Sequence, residues 1–230
     1  MTRFLILKLE GVLQSWGGHT FEDYRPTNLF PTRSGLLGLL GACLNLDRKD
    51  MIELQKLSTS VVFTVRADRA ALRPERQDRL VEKRPLRITD YHTVLAARKV
   101  DGKSNPDAVV SRREYLCDAA FTVAIEEKAQ AEYPLDKIAQ AVKTPHYTPF
   151  LGRRSCPLTR PLFDMFVDAE TPLQALEKVS PQAGTIYAEG TELSNEERLL
   201  VRDVPIYGRY RKFTTRQVFI HAPGGKDVLK

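Results

Sequence analysis

One order of elements recurs on either side of a long basic segment, and it limits the folds open to this chain. Arg3–Leu9 is an apolar run of strand length. Ser34 then stands where a cap would start a helix through Leu44, SGLLGLLGACL. A second short helix is capped by Asp50 and carries Met51, Leu54 and Leu57 on one face. Val61–Val65 is rich in β-branched residues and reads as a strand. Downstream, Tyr115–Ile125 places Tyr115, Cys117, Ala119, Phe121, Val123 and Ile125 at alternate positions, which predicts one strand. Pro134 opens a helix with Leu135, Ile138, Ala139 and Val142 on a shared face, Pro145 ends it, and Leu162–Val167 supplies a further strand.

In chain order this is β-α-β, an insertion, and β-α-β again. That is the split βαβ pattern of ferredoxin-like and RRM-type domains, so the expected class is α+β. Such a sheet leaves one face open, and RRM domains bind single-stranded RNA there. The insertion holds strand-like patches, RITDYHTVL and DAVVSRREYL, around the turn signal DGKSNPD, as a projecting β-hairpin would. Toward the C-terminus Thr171–Val179 reads as a short helix with Thr171 as cap and Pro172 in its first turn. Thr185–Glu189, Leu199–Val204 and Tyr210–His221 read as strands or edges. The expected division is a domain over residues 1–168 and a smaller β-rich extension over 169–230, with no internal repeat.

Charge narrows the class of partner. The chain carries a net +6. Between Arg66 and Arg113 there are 13 Lys/Arg against 7 Asp/Glu, a surplus as large as that of the whole chain. One reading is a solvated loop; the other is a surface for a polyanion. The stretch YTPFLGRRSCPLTRPL (147–162) adds a second basic feature: a proline-stiffened loop in which Gly152 precedes Arg153 and Arg154. A glycine lets backbone N–H groups approach a phosphate, and arginine forks match phosphate oxygens. The bland reading is that one arginine is used inside the fold. Tyr91-His92 and His146-Tyr147 place rings that could stack on unpaired bases beside these cations. Gly35, Gly38 and Gly41 recur every three residues on the first helix, where they permit close packing or a ligand. Trp16, the single tryptophan, is expected to pack or to touch a partner.

Other chemistries find little footing. No Walker loop, GxSxG, HExxH or paired carboxylates are present, and none of His19, His92, His146 and His221 has a sequence neighbour that fixes a catalytic role. Cys43, Cys117 and Cys156 are odd in number and form no CxxC pair, so reduced thiols are expected, with no metal and no cofactor. MTRFLILKLEG reads as a strand and lacks the apolar core and cleavage site of a signal peptide. No apolar run approaches the roughly 18 residues that span a bilayer, so a cytoplasmic protein without membrane contact is expected.

Five stretches together resemble a known family: GVLQSWG (11–17), FPTRSGLLGLLGACL (30–44), DYHTVLAAR (90–98), REYLCDA (113–119) and YTPFLGRRSCPLTRPLF (147–163). They are similar to the CasD subunits of Cascade, the RNA-guided surveillance complex of type I-E CRISPR systems. The resemblance implies a ferredoxin-like fold with a glycine-rich loop, matched by Gly152-Arg153-Arg154, and a β-hairpin thumb over about residues 85–113. It implies a non-catalytic subunit that holds the 5′ handle of the CRISPR RNA. Its implied partners are the adjacent Cascade backbone subunit, the large PAM-reading subunit and, indirectly, target DNA. Relatives in another subtype cut RNA, so a metal-independent endoribonuclease is the alternative. The expected RNA-binding set has three parts. Arg33 and Ser34 lie at the start of the first helix. Tyr91, His92, Arg98, Lys99, Arg112 and Arg113 lie in the hairpin, and Tyr147, Gly152, Arg153 and Arg154 in the loop. Trp16 is the expected partner contact.

Overall fold

Buried on both faces from Phe4 to Leu9, β1 (Thr2–Glu10) is an interior strand, as its apolar run, interrupted by a buried Lys8, leads one to expect. The structure is a computed structural model that describes residues 1–18, 20, 22–68, 86–190, 197–208, 210 and 212–221. Short strands β2 (Leu13–Gln14), β3 (Trp16–Gly17), β4 (Tyr24–Arg25) and β5 (Thr27–Asn28) lead into α1 (Arg33–Cys43) and α2 (Met51–Ser60). Then come β6 (Val61–Asp68), β7 (Leu86–Val94), β8 (Val109–Cys117), β9 (Ala120–Glu127), α3 (Leu135–Lys143) and β10 (Phe163–Ala169). The C-terminal part adds α4 (Pro172–Glu177), β11 (Gly184–Glu189), β12 (Glu197–Ile206) and β13 (Lys212–His221).

Seven strands form one antiparallel sheet in the order β10-β1-β9-β6-β11-β13-β12. The first four are interleaved: β1 lies between β10 and β9, and β9 between β1 and β6. Each helical crossover therefore skips a strand. The C-terminal strands continue this sheet from β6. Leu5, Leu7 and Leu9 of β1 pack with Ile138 and Val142 of α3 and with Leu36 and Leu40 of α1 in one core. All four apolar positions expected on α3 are buried. Among the described residues no helix is long and apolar enough to cross a membrane.

Three local expectations are corrected. The predicted strand Tyr115–Ile125 is two strands in two sheets, broken at Asp118, whose φ is +50°. There the Asp118 N–H donates to the Val12 carbonyl at 3.0 Å, and Gln14 Nε2 donates to the Ala119 carbonyl at 2.5 Å. Thr32, not Ser34, caps α1, its hydroxyl accepting from the Gly35 N–H at 3.3 Å. Of the α1 glycines Gly35 abuts the Trp16 ring, which a Cβ there would meet at 2.9 Å; Gly41 faces Leu54 at 3.4 Å, and Gly38 has no neighbour within 4 Å. Trp16 is 1% exposed and donates from Nε1 to Gln14 Oε1 at 3.1 Å, so it is a core residue and not a partner contact.

The sheet face expected to be open is covered. Ala175, Leu176 and Val179, in and just after α4, pack on Phe4, Ile6, Ala124 and Val167. Beside them Arg66 donates to the carbonyls of Leu176 (2.5 Å) and Val179 (3.1 Å), and Lys8 donates to that of Ser180 (2.5 Å). Asp68 balances the cations, accepting from Arg66 Nε at 2.6 Å and from the Thr122 hydroxyl at 2.7 Å. Burial pushes the Asp68 carboxyl above its ordinary range and the Lys8 ammonium below it. Removing one member of such a group leaves unpaired buried charge. Arg66→Ala is therefore expected to lower the unfolding free energy by about 3–5 kcal/mol in urea denaturation, with Arg66→Lys between it and the native chain.

Candidate nucleic-acid interface

The basic insertion folds as the hairpin β7–β8, in register from Leu86 opposite Cys117 to Val94 opposite Val109. At roughly 3.3 Å per residue it projects about 30 Å. Among the described residues its support comes at the root. There β8 pairs with β2 on one stretch, Leu13 opposite Cys117, and runs parallel to β4, with Tyr24 beside Arg112 and Arg25 beside Arg113. Beyond the root the chain closes in a tip where Lys99 N–H donates to the Lys103 carbonyl at 2.8 Å and Gly102 takes φ +84°.

Glu114 organises the root. It is 4% exposed, accepts from the Tyr24 hydroxyl and from the Thr27 N–H at 3.0 Å, and lies 3.6 Å from Arg87 Nε. The bond to Glu114 holds the Tyr24 phenol above its ordinary pKa. Arg153 approaches the same root from the loop. Its guanidinium donates to the carbonyls of Glu114 (3.2 Å) and Arg25 (3.1 Å) and lies 4.6 Å from the centre of the Tyr115 ring.

The loop is a closed turn. Leu151 N–H donates to the Cys156 carbonyl at 2.8 Å, and Cys156 N–H to the Arg153 carbonyl at 2.9 Å. Gly152 sits at φ +86°, and a Cβ there would come within 1.8 Å of the Ser15 carbonyl oxygen. Its neighbour Leu151 accepts from the Ser15 N–H at 3.1 Å. The glycine is thus required by the protein's own backbone.

Arg112 and Arg113 lie in this root, on opposite faces of β8, and Gly152-Arg153-Arg154 is docked on it through Arg153, on the Tyr115 face; Arg112 faces the other way, toward Tyr91 and, at 3.7 Å, Asp23. Arg154 and Arg112 are exposed, while Arg113 is half-buried and donates to the Ser111 hydroxyl at 3.0 Å. Tyr91, 64% exposed, stands opposite Arg112, whose guanidinium is 5.8 Å from its ring. His92 points to the other face of the hairpin, with Nε2 3.1 Å from the Tyr115 hydroxyl and 3.0 Å from Asp90. Arg98 and Lys99 are exposed at the tip, most of the hairpin's length from the root. Tyr147 is exposed but sits at the end of α1, where its N–H donates to the Ala42 carbonyl at 3.2 Å.

Arg33 leaves the set. It is 4% exposed, and its guanidinium donates to Glu189 and to the carbonyls of Ser58 and Val61. Ser34 is half-buried beside it, its hydroxyl 3.5 Å from that of Thr32. Residues 69–85 of the basic segment, with Pro85 of the expected thumb, and His19 lie outside the described residues. Sequence reasoning missed Tyr24, Arg25 and Glu114, which meet only through the pairing of β4 with β8. No group of three His, Cys, Asp or Glu among the described residues is placed to hold a metal ion.

Fold and surface together define an α/β protein of mostly antiparallel sheets, with a cationic arm rooted beside a tight Gly-Arg-Arg turn. The chain belongs to the CRISPR-associated Cas5 protein family, whose sequence profile matches residues 4–219. It is 46% identical over 229 residues to the CRISPR system Cascade subunit CasD of Escherichia coli (strain K12), covering 99% of each chain. It superposes on a chain of a CRISPR RNA-guided surveillance complex with a TM-score of 0.71, 26% identity, and coverage of 95% of this chain and 89% of the other. A second solved structure, of a Cas protein, gives a TM-score of 0.61 at 28% identity over 94% of both chains. The family read from the five sequence stretches is the family found.

Gly152→Ala is expected to lower the thermal midpoint measurably, because the added carbon meets the Ser15 carbonyl and the positive φ is strained. Arg154→Ala, at an exposed position, should stay within about 0.5 kcal/mol of the native chain in the same unfolding series.

Proposed function

We propose that this chain is an RNA-binding subunit of a type I-E Cascade surveillance complex, acting in the cytoplasm in antiviral defence, and that it binds RNA without cutting it. In this reading β1, β6, β9 and β10 with α1 and α3 are the ferredoxin-like domain. The β7–β8 hairpin is the thumb, and residues 150–157 are the glycine-rich loop. Residues 169–230 are an extension that lengthens the sheet.

The hairpin root and the loop hold the 5′ handle of the CRISPR RNA. The chain caps the backbone filament against its neighbouring backbone subunit and touches the large PAM-reading subunit, so target DNA reaches it through the complex. The observation that carries this reading is Arg153, which fixes the loop that holds Arg154 against the hairpin root that holds Arg112 and Arg113. The similarity to the E. coli Cascade subunit CasD supports it. In guided recognition, base pairing reads sequence and protein holds backbone and shape, which is what arginines on a rigid root supply.

The test is RNA retention in the assembled complex over a salt series. Replacing Arg112 and Arg154 by Ala together is expected to weaken handle binding and to flatten the log–log salt slope by about 1.4, two single-strand phosphate contacts. Unchanged retention and slope would count against the reading.

His92 favours the second reading, a metal-independent endoribonuclease, because its Nε2 lies close to both the Tyr115 hydroxyl and Asp90, a general base beside a phenol. Repeat RNA incubated with the purified chain in EDTA should remain intact. Cleavage at one phosphodiester that His92→Ala abolishes would establish the nuclease instead.

A further inference from the structure

The ribbon formed by β12 and β13 carries charge that the hairpin does not explain. Residues 198–216 hold six Lys/Arg and one acidic residue, Asp203. The chain outside 66–113 sums to neutrality only because acidic residues elsewhere offset this stretch. Two of the six, Arg209 and Arg211, lie outside the described residues.

The single acid is already engaged inside. Arg216 donates to both Asp203 oxygens, at 2.7 and 2.8 Å, and the same carboxylate accepts from the Arg33 N–H at 2.7 Å. That arrangement docks the inner part of the ribbon on the start of α1. Farther out, Arg202 and Lys212 are exposed. Arg202 Nε donates to the Phe213 carbonyl at 3.1 Å, and no carboxylate among the described residues pairs with either cation.

Register sets where this charge lies. The β7–β8 hairpin leaves the main sheet where β6 ends at Asp68 and β9 begins at Ala120. At that end β13 finishes, with His221 opposite Ile186. Its last partner on β11 is Val218, opposite Glu189, so Lys212–Gln217 overhang the other end, paired with β12. Along β13 the two ends are roughly 30 Å apart.

We propose that the outer end of the β12–β13 ribbon is a second cationic contact, through Arg202 and Lys212, for the phosphate backbone of double-stranded nucleic acid. A two-stranded ribbon is of a width that a duplex groove admits. Single-strand platforms instead offer successive exposed rings. Here Tyr207 and Phe213 are half-buried, burial raises the Tyr207 phenol's pKa, and Tyr210 is the exposed ring. The contact stands whether or not the hairpin root binds RNA.

Fluorescence anisotropy of the full chain tests it, with a short random-sequence DNA duplex, the matching RNA duplex and single-stranded handle RNA as probes. Arg202→Ala with Lys212→Ala is expected to weaken duplex binding about tenfold and to flatten the salt slope by about 1.8. Handle RNA should bind as before, and Arg202→Lys with Lys212→Arg should retain duplex affinity. Preference between the two duplexes names the source. Arg112→Ala with Arg154→Ala should show the reverse pattern, which separates failure of this site from failure of the RNA site. If the double alanine variant melts early, Lys212→Glu alone serves, with a loss expected to exceed that of Lys212→Ala. Duplex affinity unchanged in these variants, or a loss confined to single-stranded RNA, overturns the proposal.

Discussion

The guanidinium of Arg153 joins the two basic features of this chain. Two of its N–H groups are taken by carbonyls of the hairpin root and of β4, and its plane lies over Tyr115. Because these partners are backbone carbonyls and a ring, with no carboxylate among the described residues, they hold the charge in place without neutralising it. The hairpin alone would be a two-stranded ribbon, marginal on its own. Its root is held by β2, by β4, by buried Glu114 and by this arginine, and so becomes a rigid part of the sheet domain. Of the two readings weighed from the sequence, the structure shows the plainer one: the arginine is used inside the fold, where it ties the loop to the hairpin root.

The face of the sheet beneath α4 is closed. A sheet of this connectivity offers a second surface, and in RRM domains that surface receives RNA. Here α4 lies over it, held at its C-terminal carbonyls by Arg66 and near Lys8. Cations that would otherwise invite a polyanion on that face are consumed by Asp68 and by carbonyls. The exposed positive charge is displaced to projecting elements, the β7–β8 hairpin at one end of the sheet and the β12–β13 ribbon at the other. Such a division suits a subunit that touches several neighbours.

What could be read from sequence was what depends on near neighbours. The 3.6-residue stripe of Leu135, Ile138, Ala139 and Val142 set α3, and the turn signal DGKSNPD set the hairpin, because each needs only local chemistry. Alternation through Tyr115–Ile125 hid a strand break, since the apolar period continues across Asp118 while the chain changes sheets. Arg33 looked like a surface cation because its partners, Glu189 and Asp203, are 156 and 170 residues away. Gly152 was read correctly as a site of close approach, but the group it approaches is Ser15, a contact only the closed fold creates. The α4 cover was equally hidden: one anchor, Lys8, lay in a strand read as apolar, and the other, Arg66, was counted with the basic segment.

The most direct test of the joint surface is photo-crosslinking of a CRISPR RNA carrying 4-thiouridine in its 5′ handle, within the assembled complex, followed by mapping of the linked peptides. The account requires links to peptides from both 109–117 and 150–157, which only a polynucleotide lying across the Arg153 junction can produce. Handle links confined to one of these peptides, or found on neither, would contradict it.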